Sequence, residues 1–227
     1  MAEAATLHHF AFDPASRAAR LALGEIKLAV QEQAVRPWDP ESPIHALNPS
    51  GLPPVLETRH QGRALTLRGL SAILGFADDA SAGALLPGDA GERAEARRLV
   101  DWFARPFTDD VDAVLLHERM EKPLLRMGPP DARNLREGRE ALRRHLALFE
   151  ALAGERDWLA GRRLSQADLV AAAHLSVLDY FGEAPWPAYP ALKGWYAKIK
   201  CRPCFRGLLG DRFPGVAPSA VYADLDF

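Results

Sequence analysis

Cysteine is nearly absent from this chain: Cys201 and Cys204 are the only two, so no disulfide framework holds it and a hydrophobic core must. Long apolar runs are missing too. The richest, residues 169–178, is interrupted by His174 and Ser176 and falls short of the roughly 18 residues a membrane-spanning helix needs. Neither sign of charge is in excess, with 28 basic and 30 acidic side chains giving a net charge of -2, which removes the attraction that drives general nucleic-acid binding. The start, Met1-Ala2-Glu3-Ala4-Ala5-Thr6, lacks the basic and apolar regions of a signal peptide, so the expected location is the cytoplasm. Only five of the 28 basic residues are lysine, and no function follows from that. What the chain does have is an ordinary globular composition, 48% apolar and 26% charged. Its 227 residues allow one large domain or two small ones.

The patterning favours two. In the first eighty residues, turn signals at Pro37-Trp38-Asp39-Pro40, Asn48-Pro49-Ser50-Gly51 and Gln61-Gly62 separate short apolar runs. Residues 7–12 read as a strand, 17–25 as a helix, and 55–58 with 65–67 as a hairpin, giving the order strand, helix, loop, hairpin, helix. From about Gly91 the pattern is helical, with Leu142, Leu146, Phe149 and Leu152 recurring at intervals of three and four. Residues 78–91, rich in Ala, Gly, Asp and Ser, read as a linker. The expected organisation is a domain over 1–80, a helical domain over 91–210 and a tail over 211–227, without internal repeats.

Three segments in order resemble the glutathione transferase superfamily. They are Asn48-Pro49-Ser50-Gly51-Leu52-Pro53-Pro54-Val55-Leu56, then Asp157-Trp158-Leu159-Ala160-Gly161 with Leu164-Ser165-Gln166-Ala167-Asp168, and finally Tyr189-Pro190-Ala191-Leu192-Lys193-Gly194-Trp195-Tyr196 with Arg202-Pro203. The resemblance covers about residues 6 to 209. It implies an α/β thioredoxin-like N-terminal domain followed by an all-α C-terminal domain, with a cis proline before the hairpin. Independently of any family, Ser165 and Asp168 have the spacing of a capping box, in which each side chain satisfies a backbone donor at the other's end.

A glutathione enzyme must activate the thiol, hold the peptide backbone and anchor the γ-glutamyl group. The resemblance places Asp13-Pro14-Ala15-Ser16 where the activating residue stands. An anionic Asp13 disfavours a neighbouring thiolate, and Ser16, the only nearby hydroxyl, reads either as a first-turn capping residue or as a catalyst. The resemblance puts Pro53 at the position whose N–H pairs with glutathione in that family, just ahead of an expected cis Pro54, and proline has no N–H. Gly69 and Leu70 stand where the resemblance implies an acidic or amide residue followed by Ser, and Ser71 falls one position late, about 100° around a helix. No glutathione binding and no catalytic residue are therefore expected. The rival reading is an active transferase that conjugates glutathione to small electrophiles using Ser16 or a water-mediated site.

Other candidates carry less. Cys201-Arg202-Pro203-Cys204 has redox spacing but lies late in the helical half, away from a strand-to-helix start. His8 and His9 are strand neighbours facing opposite sides, so they do not share a metal, and no metal site is expected. His117-Glu118 reads as solvated helix surface. Trp38, beside Arg36 in a proline-rich loop, suits either a protein-binding hot spot or packing on a neighbouring helix. The last seven residues alternate apolar and acidic, which fits a tail docked on its own protein or a short peptide that enters a partner.

Together, the departures from the thiol site, Trp38 and the acidic-apolar tail resemble a non-catalytic, FtsZ-binding branch of the superfamily. That resemblance implies a cytoplasmic homodimer at the division site that binds FtsZ polymers and regulates constriction. It assigns polymer contact to Trp38 with Arg36, Glu118 and Leu135, and a second division partner to Leu225, Asp226 and Phe227. A third reading is a structural dimer that scaffolds another complex.

Overall fold

The computed structural model describes residues 5–225. Strand β1 (Ala5–His9) is followed by helix α1 (Pro14–Glu25), strand β2 (Val30–Ala34), a short helix α2 (Ile44–Leu47), strands β3 (Val55–His60) and β4 (Arg63–Arg68), and helix α3 (Leu70–Ala80). The sheet order is β2-β1-β3-β4, with β1 parallel to β2 and antiparallel to β3. The hairpin turns at Gln61 and Gly62, both with positive φ.

The strand expected over 7–12 stops at His9, because the Phe10 carbonyl accepts the Asp13 N–H at 3.0 Å and turns the chain. Asp13 then caps α1, accepting the Ser16 N–H at 2.7 Å, while Pro14 at the first helical position gives up an N–H that would have had no partner. β2 has no counterpart in the sequence reading. Three of its five residues, Gln31, Glu32 and Gln33, are polar and four of the five are exposed, so an edge strand held by backbone pairing to β1 leaves no alternation to detect.

The helical half begins with α4 (Ala90–Trp102), started by a complete capping box between Asp89 and Glu92. The chain then continues in widened π turns over Phe103–Asp112, returns to α geometry in α5 (Ala113–Leu116), widens again over His117–Glu121 and ends in α6 (Lys122–Leu125). Pro106 lies inside the first widened stretch; proline removes an N–H and crowds the preceding turn, and the wider winding accommodates it. Helix α7 (Ala132–Glu155) buries Leu142, Leu146 and Phe149. Helix α8 (Gln166–Tyr180) is buried along its whole length and forms the axis of the molecule. Both halves of the Ser165–Asp168 capping box are present. Helices α9 (Pro190–Lys200) and α10 (Arg206–Gly210) complete the half.

A continuous apolar core joins the two halves, running from Leu7 through Phe12 and Leu146 to Tyr222. Phe12 meets Tyr180 edge-on at 4.6 Å, and the wholly buried Arg17 donates to Ser176 Oγ at 2.8 Å and to the Ala11 carbonyl at 2.7 Å. The reading of 211–227 as a tail outside both domains needs correction in its first part. Phe213 and Tyr222 are buried, the Tyr222 hydroxyl donates to the Leu208 carbonyl at 2.7 Å, and Lys200 donates to the Val221 carbonyl at 2.8 Å. The chain is anchored through residue 222, and residues 223–225 are exposed.

Candidate protein-binding cleft

Between the halves lies a cleft of about 610 Å³. One wall comes from the α1 entry and the two loops that flank α2, with Phe10, Asp13, Pro14, Ala15, Pro37, Trp38, Leu52 and Pro53; the other comes from the segment running into α6, with Thr108, Asp112, Leu116, Met120, Glu121, Leu124 and Leu125. Most of this lining is apolar, and it contains no lysine, arginine or histidine.

Trp38 stands at the mouth. Turns at Arg36–Asp39 and Asp39–Ser42 hold its loop, through Asp39 N–H to the Arg36 carbonyl at 3.0 Å and Ser42 N–H to the Asp39 carbonyl at 2.9 Å. Its ring lies edge-on to Phe10 at 5.0 Å yet stays 38% exposed, beside Leu52 at 59% and Leu125 at 45%. Three large apolar side chains left open around one cleft are what a docking surface presents and what a solitary surface avoids. Arg36 is exposed and has no ion-pair partner among the described residues.

The positions expected to matter for glutathione are placed as follows. Pro53 and Asp13 line the cleft, and the Pro53-Pro54 bond is cis. Pro54 is buried, and its carbonyl accepts the Gly69 N–H at 2.9 Å. Ser16 is fully buried behind the wall, where its hydroxyl accepts the Phe10 N–H at 3.3 Å, so its geometry is that of a first-turn structural residue. Gly69 (φ 82°) opens α3 without a side-chain cap, and neither it nor Leu70 lines the cleft. At the floor, Asp112 pairs with His174 Nδ1 at 2.5 Å. Burial pushes the Asp112 carboxyl pKa up, with His174 opposing; burial also raises that of Asp13, with the Ser16 hydrogen bonds opposing.

The reading of Glu118 as solvated surface is overturned. Its side chain is fully buried, accepting the Asp131 N–H at 2.7 Å and Asn134 Nδ2 at 2.7 Å and pairing with Lys122 at 2.6 Å. Burial raises its pKa, but the donors from Lys122, Asn134 and Asp131 together outweigh it and bring the carboxyl down to about 2. Leu135 is likewise packed in the core. Neither side chain offers a face to a partner, so direct contact gives way to support: Glu118 ties the wall carrying Leu116 and Met120 to the start of α7.

His8 and His9 turn to different carboxylates, Glu57 at 2.7 Å and Glu32 at 3.6 Å. The Cys204 thiol is pushed up to about 12 by burial and by Glu25 beside it, far from the low value a redox thiol needs. Leu225 is 41% exposed, while Asp226 and Phe227 lie outside the described residues. Sequence reasoning missed Phe10, Leu116, Leu125 and the Asp112–His174 pair. The pair is separated by 62 residues and leaves no local signal, whereas Leu52 sits within the segment 48–56 and was open to notice.

Residues 115–203 match the family model for the glutathione S-transferase C-terminal domain. Over 224 residues, 98% of each chain, the protein is 58% identical to FtsZ-localized protein A of Caulobacter vibrioides (strain NA1000 / CB15N). The solved structure of FzlA from C. crescentus superposes with a TM-score of 0.94 at 56% identity, covering 99% of this chain and all of that one. A structure described as a glutathione S-transferase from Rhodospirillum rubrum F11 superposes at 0.93 with 39% identity, covering 98% of this chain and 100% of its own. With the thioredoxin-like sheet, the cis proline and the buried α8 in place, the chain belongs to the FtsZ-localized protein A family of the glutathione transferase fold.

Proposed function

We propose that this protein binds FtsZ polymers at the division site through the mouth of the cleft, as a non-catalytic regulator of constriction in the cytoplasm. The observation that carries the reading is the near full-length relationship to a protein named for its localisation with FtsZ. Trp38 with Leu52 and Leu125 supplies the apolar contact, and Arg36 the cation at its edge. Glutathione is not the ligand: its two carboxylates would enter a lining that holds Asp13, Asp112 and Glu121 and no cation, and Pro53 has no N–H to offer its backbone. The protein acts as a homodimer, and its end, Leu225 with Asp226 and Phe227, serves a second division partner; no helix among the described residues is long and apolar enough to cross a membrane.

Three experiments test this reading. Wild-type protein should pellet with GTP-assembled FtsZ and stay in solution without it. Calorimetry with glutathione should give no heat of binding at millimolar ligand; saturable binding there favours the rival transferase, for which the 39%-identical structure described as a glutathione S-transferase is the supporting observation. Removing residues 223–227, which lie beyond the buried Tyr222, should leave polymer binding intact while abolishing pull-down of the second partner.

A further inference from the structure

The cleft floor holds a feature that apolar docking alone leaves unused. Asp112 is 5% exposed and lines the cleft, yet its pairing is incomplete: Oδ2 faces His174 Nδ1, the Thr108 hydroxyl beside the carboxyl spends its proton on the Phe103 carbonyl at 2.7 Å, and Oδ1 is buried without a hydrogen-bond partner. A buried acceptor in that state is costly, and it gains most from a donor brought in from outside. Asp13 lies in the same lining with its carboxyl partly buried at the α1 start, and Glu121 stands at the rim. The histidines near these acids face them from behind, His174 on α8 toward Asp112 and His117 toward Glu121 at 2.7 Å, and neither enters the cleft. The lining therefore combines an apolar collar, three acids and no opposing cation.

We infer that this floor receives a basic side chain, an arginine or lysine flanked by apolar residues, presented by the protein that docks on Trp38. The inference rests on the proposed docking at the cleft mouth and adds the chemistry of what enters. The stem of such a side chain runs along Phe10, Trp38 and Leu116, and its charged head reaches Asp13 and Asp112. Both carboxyls are held toward the protonated form by burial, and an arriving cation supplies the counter-charge that the lining lacks. Two signs of charge then set the orientation: Arg36 outside the lining seeks an acidic group while the floor seeks a basic one.

The test uses the full chain and a capped tripeptide probe, acetyl-Leu-Arg-Leu-amide, beside its citrulline and glutamate counterparts. Binding is followed by the indole ¹H–¹⁵N signal of Trp38, assigned with Trp38→Phe. The arginine peptide should bind about tenfold more tightly than the citrulline peptide, the strength of a charge-assisted pair in a sheltered site, and the glutamate peptide should not bind. Asp112→Asn should remove that preference. Because Asp112 also pairs with His174, the double variant Asp13→Asn with Glu121→Gln is measured alongside: asparagine still caps a helix, Glu121 is exposed, and a folded variant should lose most of the preference. Equal binding of the three peptides by wild type, or an unchanged preference in the folded double variant, would overturn the inference. The outcomes separate from those of the proposed function: a preference for arginine without polymer pelleting sinks the FtsZ reading alone, and pelleting without the preference sinks this one alone.

Discussion

At the scale of single residues, Glu118 is the instructive case. A glutamate beside a histidine in a polar helical stretch looks like surface, and the fold instead surrounds it with Lys122, Asn134 and the Asp131 N–H. Replacing it with alanine leaves the half-buried Lys122 and Asn134 side chains unmatched and an empty space where the buried carboxylate was, so Glu118→Ala should lower the thermal midpoint by about 5 °C or more, whereas Glu118→Gln, which keeps an acceptor, should cost less. The acid dependence has a definite sign. The carboxyl ionises at about 2 in the fold against a reference of 4.5, so its stabilisation is fully present above the reference value and is lost as pH falls from there toward about 2. Acid titration of stability by circular dichroism should show wild type losing this component across that window and Glu118→Gln lacking it. A cost of Glu118→Ala confined to polymer binding, with no change in stability, would restore direct contact.

Elements were legible where a local rule wrote them. The Ser165–Asp168 capping box and the Pro53-Pro54 entry to β3 could be read because capping and proline chemistry act within four residues. Ser165→Ala should cost about 1 kcal/mol in urea unfolding, the usual worth of a helix cap. What stayed hidden has equally physical causes. β2 is a polar edge held by its neighbour's backbone. The widened turns at Phe103–Asp112 and His117–Glu121 change the residues per turn, so a face projected at α-helical spacing drifts, and both Glu118 and the cleft-lining Leu116 fall in or after them. The final segment reads as a tail outside both domains, with docking of its last residues left open, because alternating apolar and acidic residues name no partner; in the fold Tyr222, against Tyr180 at 5.0 Å and bonded to Leu208, pins it. Tyr222→Ala should cost about 3–5 kcal/mol, and Tyr222→Phe only about 1 kcal/mol for the lost hydroxyl, by the same unfolding measurement.

For the whole molecule, the near-neutral charge and absent disulfides leave cohesion to one core that crosses between the halves. Arg17 and Arg20 from α1 reach Asp211 at 3.5 and 2.6 Å, and Phe12 enters among Tyr180, Phe181 and Phe213. Calorimetry should therefore find a single cooperative transition for both halves; two separated transitions would show that the halves are held only side by side. A rigid frame of this kind keeps the cleft open and its apolar mouth in place without a small ligand to fill it. The central claim is that this mouth, and Trp38 above all, is where the polymer binds. Its most direct test is co-sedimentation of Trp38→Glu with GTP-assembled FtsZ at matched protein concentration. The variant should remain folded and in the supernatant while wild type pellets; a variant that pellets as wild type does would contradict the account.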